Sequence, residues 1–120
     1  MKKITATVIA LGILWSQWAF AHAILVKSSP AKEQSTNIIP TRVDLWFDDK
    51  VGPKYTALAV VNSKGERVDN KDGELEMLDK SHLSATLKKL TPGRYGVRYR
   101  VQSADGHIVT GKFFFEITQE

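Results

Sequence analysis

The chain carries histidines at positions 22, 82 and 107, and their surroundings differ sharply. His107 closes the run Ser103-Ala104-Asp105-Gly106-His107. In extended chain, residues two apart project to the same side, about 7 Å from one another. The small Gly106 permits a bend that brings the Asp105 carboxylate and the His107 imidazole onto one ion. An Asp-Gly pair is also a favoured hairpin turn in its own right, which accounts for Asp105 and Gly106 and leaves His107 unexplained.

His22 gains its interest from what precedes it. Lys2 and Lys3 form a positive start, Ile4 to Trp15 is largely apolar, and Ala19-Phe20-Ala21 has the small-x-small pattern of a cleavage site. The apolar run falls short of the roughly 20 residues that span a bilayer. Residues 1–21 therefore read as a cleaved signal peptide, against the alternatives of an uncleaved anchor or a buried helix, and residues 22–120 as one mature domain. Cleavage makes His22 the first residue. Its α-amine and imidazole Nδ1 can then close a chelate ring, and an α-amine with a pKa near roughly 8 yields its proton to a metal near neutral pH. Accidental placement of a histidine at the cut site is the competing account.

Taken together, His22, Asp105 and His107 offer an amine nitrogen, two imidazoles and a carboxylate. Three nitrogens and one oxygen suit tetragonal Cu(II), which also stands at the top of the affinity order for such donors. Zinc is the physical competitor for the same ligands. His82 alternates with Leu83 and is expected on the surface; Met77 alternates with Leu75 and is expected in the core. Met77 is the single methionine after processing, which leaves no thioether set for Cu(I). Asp48-Asp49 reads as an exposed turn that caps a strand rather than as a carboxylate pair for hydrolysis.

The elements that must position these residues are strands. Val43, Leu45 and Phe47 alternate with polar neighbours, as do Leu83, Ala85 and Leu87; Tyr95, Val97, Tyr99 and Val101; and Phe113, Phe115 and Ile117. Turn signals separate the runs at Ser29-Pro30, Pro40, Gly52-Pro53, Asn62 to Gly65, Asp72-Gly73, Pro92-Gly93 and Asp105-Gly106. About seven short strands, from Ile24–Lys27 onward and with Glu74–Leu78 the weakest, predict an all-β antiparallel sandwich with Greek-key links. With no cysteine in the chain, its stability must come from a core, and thiolate chemistry is excluded. Processing takes Lys+Arg from 17 to 15 against 13 Asp+Glu, so the mature charge is near +2. Lys88-Lys89 and Arg94, Arg98 and Arg100 read as solvated strand edges, with no dense basic stripe for nucleic acid.

Beyond these residue-level readings, the chain resembles the CopC/PcoC family of periplasmic copper-resistance proteins, including its YobA-like members. The likeness runs from His22-Ala23 through Leu25, Ser29-Pro30-Ala31, Pro40 and Val43-x-Leu45-x-Phe47. It closes with Ser103-x-Asp105-Gly106-His107-x-x-x-Gly111-x-Phe113-x-Phe115. The resemblance implies an immunoglobulin-like or cupredoxin-like sandwich and one Cu(II) per chain held by His22, Asp105 and His107. It further implies a periplasmic carrier or buffer in copper homeostasis or resistance, without catalysis, and a CopD-type inner-membrane partner. Nothing in the residues requires more than a monomer. Two other readings stay open: a metal-free sandwich that binds protein, and a copper mono-oxygenase-like enzyme, which would need an open metal position and a flat aromatic face.

Overall fold

A computed structural model describes residues 23–119, and these form two packed sheets without a helix. The strands are β1 (Leu25–Ser29), β2 (Ser35–Thr36), β3 (Arg42–Phe47), β4 (Gly52–Val61), β5 (Glu74–Glu76), β6 (Asp79–Thr86), β7 (Gly93–Gln102) and β8 (Ile108–Ile117). One sheet has the order β1-β3-β6-β5 and the other β2-β8-β7-β4. The chain thus changes sheet at every step from β1 to β5 and again between β6 and β7. Such crossings give each sheet one covered face and explain the strict alternation along the strands. The inward set is the expected one: Val43, Leu45, Leu83, Val97 and Val101 are fully buried, with Phe113, Phe115 and Ile117 beside them.

Several sequence expectations change in detail. Eight strands form rather than about seven, the extra one being the two-residue β2. It runs parallel to β8, through Ser35↔Glu116 and Thr36↔Ile117, so the sandwich is not wholly antiparallel. Gly52-Pro53 does not end before β4 but lies within it. The register with β7 slips between Gly52 and Ala57, and Tyr55 sits there at φ 64°. β5 stops at Glu76, and Met77 is the tip of a tight β5–β6 hairpin, 82% exposed rather than in the core. A two-residue turn projects away from both sheets, so alternation with Leu75 does not carry through it.

Two contacts tie the sandwich together. Gly111 faces Tyr99 across β7–β8, and a Cβ on Gly111 would fall 2.3 Å from the Tyr99 ring. The ring occupies the space that glycine leaves and meets Phe47 of the other sheet edge-on at 5.3 Å. The second contact is Asp69, a carboxylate with no exposed surface. It accepts from the amides of Val60 (2.8 Å) and Lys71 (3.0 Å) and from Arg67 Nε (2.8 Å) and Nη2 (2.7 Å). Burial pushes its pKa up, but these donors outweigh burial and hold it at about 2.

Asp69 sets an acid limit on stability. The unfolded chain takes up this proton near 3.8 and the folded one near about 2, so falling pH favours unfolding. At about 1.4 kcal/mol per unit, the carboxylate contributes about 2 kcal/mol, complete above about pH 4 and lost between about pH 4 and about pH 2. Asp69→Asn should therefore lower urea-unfolding stability by about 2–3 kcal/mol at pH 7. The deficit should be much smaller at pH 2, and an equal deficit at both would contradict the assignment.

Candidate metal centre

The β7–β8 connection is built from short-range bonds. Ser103 N donates to His107 O (2.8 Å) and Gly106 N to Ser103 O (2.9 Å), which encloses Ala104, Asp105 and Gly106. This is a three-residue loop rather than the two-residue Asp-Gly turn, with Gly106 at φ 94° in the left-handed position that such loops need. The bend brings Asp105 and His107 together: His107 Nδ1 lies 3.0 Å from Asp105 Oδ2. A carboxylate can only accept, so Nδ1 donates, which in the neutral imidazole places the lone pair on Nε2. His107 is 78% exposed at its side chain, and its Nε2 has no protein partner among the described residues.

Ser103 underlies the pair. It is buried and donates its Oγ–H to Asp105 Oδ1, while its Oγ accepts from His107 N at 3.2 Å. The Ser103 hydroxyl, then the His107 amide and ring, hold the Asp105 carboxyl below the usual carboxylate range. A carboxylate and an exposed imidazole thus stand side by side on one turn. Alternation alone did not reveal Ser103; its place directly before Ala-Asp-Gly-His was the available signal.

His22 lies outside the described residues, but the chain just after it is firmly seated. Ala23 is 3% exposed and packs into the core. Ile24 N donates to Asp48 Oδ1 (3.0 Å), and Asp48 N donates to Ile24 O (2.9 Å). Asp48 is therefore an exposed strand-end residue, as expected, with the specific task of clamping the chain next to position 22. Strand register locates this clamp. Leu25 opens β1 opposite Phe47, the last residue of β3. Residues 48–51 then lead to Gly52 of β4, which pairs with Gln102 immediately before Ser103. The clamp and the Asp105–His107 turn therefore share one end of the sandwich.

The remaining expected residues are elsewhere. His82 does point away from the core, but it is only 18% exposed at its side chain. It stacks on Trp46 at 4.4 Å, and its Nε2 lies 2.8 Å from Asp44 Oδ1. Lys27 Nζ lies over the same Trp46 ring at 4.7 Å, so Trp46 is packed rather than presented as a flat platform. Among the described residues, no three His, Asp or Glu side chains converge to hold a metal ion. Asp105 and His107 are the two potential donors that the structure brings together at this turn.

Comparison with known proteins gives a consistent picture. A family model for the CopC domain matches residues 25–118. The chain is 35% identical over 100 residues to Copper transport protein CutJ of Bacillus subtilis (strain 168), spanning 82% of this chain but 18% of CutJ. It is 27% identical over 117 residues to Copper resistance protein C of Pseudomonas syringae pv. tomato, covering 92% of each. The crystal structure of CopC from Methylosinus trichosporium OB3b superposes with a TM-score of 0.75 at 31% identity, over 82% of this chain and 96% of that one. PcoC from Escherichia coli superposes with a TM-score of 0.68 at 22% identity, over 82% and 100%, a likeness of fold alone.

Two substitutions test the turn. Ser103→Ala removes the first donor to Asp105, so a carboxyl-carbon NMR titration should find its pKa moved up toward the ordinary carboxylate range; an unmoved value would contradict the role given to Ser103. Gly106→Val forces a β-branched residue into the left-handed region and should cost about 1–2 kcal/mol in chemical denaturation.

Proposed function

The chain belongs to the CopC family, and from that premise we propose that it is an exported Cu(II) carrier or buffer of the periplasm that performs no turnover. Residues 1–21 are the export signal and residues 22–120 the working domain. One Cu(II) is the cargo. Its donors are the α-amine and imidazole of His22, the imidazole of His107 and the carboxylate of Asp105.

The observation that carries this reading is the Asp105–His107 pair, bonded at 3.0 Å on a three-residue turn, at the same end of the sandwich as the Ile24–Asp48 clamp. Asp105 is held anionic, which suits a divalent ion and offsets its charge. The turn fixes two donors, and the clamp restricts where the chain before Ala23 can go; both lower the entropy that chelation must overcome. Three nitrogens and one oxygen favour Cu(II) over Zn(II) when they lie near one plane. Relatives named as copper transport and copper resistance proteins support copper as the metal. A carrier of this kind works as a monomer that keeps free copper low and passes it to a CopD-type membrane partner.

Cu(II) titration followed by electron paramagnetic resonance tests the ligand set. One form of the protein begins at a free His22; the other carries a single extra residue ahead of it. The free terminus should take one equivalent into a nitrogen-rich tetragonal site, and the extended form should bind far more weakly. Equal binding by both forms would remove the α-amine from the site. His107→Ala and Asp105→Ala should each weaken binding by about 10–100-fold without unfolding the domain.

A further inference from the structure

The outward face of the β2-β8-β7-β4 sheet carries a feature that copper binding does not use. Arg98 of β7 and Lys112 of β8 are direct cross-strand partners. Like charges set opposite one another repel across about 5 Å, and neither side chain has a carboxylate partner among the described residues; Lys112 Nζ lies over the Phe114 ring at 5.4 Å, which offsets its charge only in part. β7 lies between β4 and β8, so Arg98 is exposed, as expected, but not on a sheet edge; β8 is flanked by β2 only at Glu116 and Ile117, so Lys112 stands on the open side of its strand.

The repulsion has a shape around it. Ala59 pairs with Arg98 and Ala57 with Arg100, which makes a low apolar floor on β4 beside the row of guanidinium groups. Arg67 rises on the far side of that floor, anchored by Asp69. The result is an open groove of about 520 Å³ walled by cations. Arg100 uses its Nε on the carbonyl of Tyr55 (2.7 Å), which fixes its direction and leaves its terminal nitrogens for another acceptor.

From this geometry we infer that the groove docks an extended acidic segment of a partner protein, with carboxylates at alternate positions. Arg98 and Arg100 are two apart on one strand, and side chains two apart in any extended chain repeat at about 7 Å. Acidic side chains at that period meet both guanidinium groups, and the carboxylate opposite Arg98 also relieves its repulsion with Lys112. The residues between them are held over Ala57 and Ala59, where only a low floor lies beneath. A membrane surface fits less well, because its binding wants apolar side chains that stand above the cations, and here the apolar groups are recessed. The groove runs along the hairpin that ends, at Ser103, in the Asp105–His107 turn. The inference does not require that turn to bind copper.

The test uses the processed protein with trace metal removed by chelation. The probes are a hexapeptide that alternates glutamate and valine, its glutamine counterpart, an isomer with the glutamates in one block, and vesicles rich in anionic phospholipid. The alternating glutamate peptide should bind, should weaken as salt rises from about 0.02 M to about 0.2 M, and should lose about tenfold or more of its affinity to Arg98→Gln/Lys112→Gln. Lys88→Gln/Lys89→Gln, which removes a basic pair elsewhere, should leave binding unchanged. Equal binding of the glutamine peptide or the block isomer, or binding to vesicles alone, would overturn the inference.

Discussion

Ten successive residue pairs, from Gly93↔Ile117 to Gln102↔Ile108, lock β7 to β8 without a break in register. Most features of the domain hang on this ladder. Its inward side chains, Tyr95, Val97, Val101, Phe113, Phe115 and Ile117, supply a large part of the core. Its outward side chains line up Arg98 with Lys112. Its far end forces the chain through the Ser103–His107 loop. A slip of one residue would send the phenylalanines to solvent and the cations into the core, so burial itself enforces the register. Gly111 adds a local lock, because only glycine leaves room for the Tyr99 ring in this register.

The Asp105–His107 turn gains its order from that ladder and from the opposite sheet. On the ladder side, Ser103 is buried and presents one oxygen that both donates to Asp105 and accepts from the His107 amide. On the other side, Asp48 grips both polar groups of the Ile24 backbone. Neither arrangement demands a large energy, since each consists of a few hydrogen bonds at an exposed end of the molecule. For the proposed carrier their value is entropic: donors that already stand near one another need less ordering when an ion arrives. A β-sandwich suits this task because its loops gather at two ends while the sheets stay rigid.

The legibility of the fold in the sequence was uneven for identifiable reasons. The alternation around Val43, Leu83, Val97 and Phe115 was plain, because burial on one face leaves a period of two. The Asp105–His107 pair and the CopC likeness were equally plain, being matters of residue type at short spacing. Met77 was misread because periodicity continues on paper through a hairpin tip where the backbone leaves the sheet. Asp69 was missed because a lone aspartate in a polar stretch gives no hint that four backbone and side-chain donors from three residues will surround it. The parallel β2–β8 pairing is two residues long, too short to leave any pattern.

What the sequence determined by itself was local: which side chains face inward along each strand, where the chain must turn, and that an aspartate and a histidine flank a glycine at one such turn. These follow from sterics and hydration over two to five neighbouring residues, and they hold in any arrangement of the strands. The tertiary structure decided which strands meet and in which register. That choice set Arg98 against Lys112, packed His82 under Trp46 and Asp44, closed Tyr99 over Gly111, and brought the start of the domain to the same end as the Asp105–His107 turn. Contacts between residues tens of positions apart arise from the joint packing of two sheets around one core, and no local pattern records them.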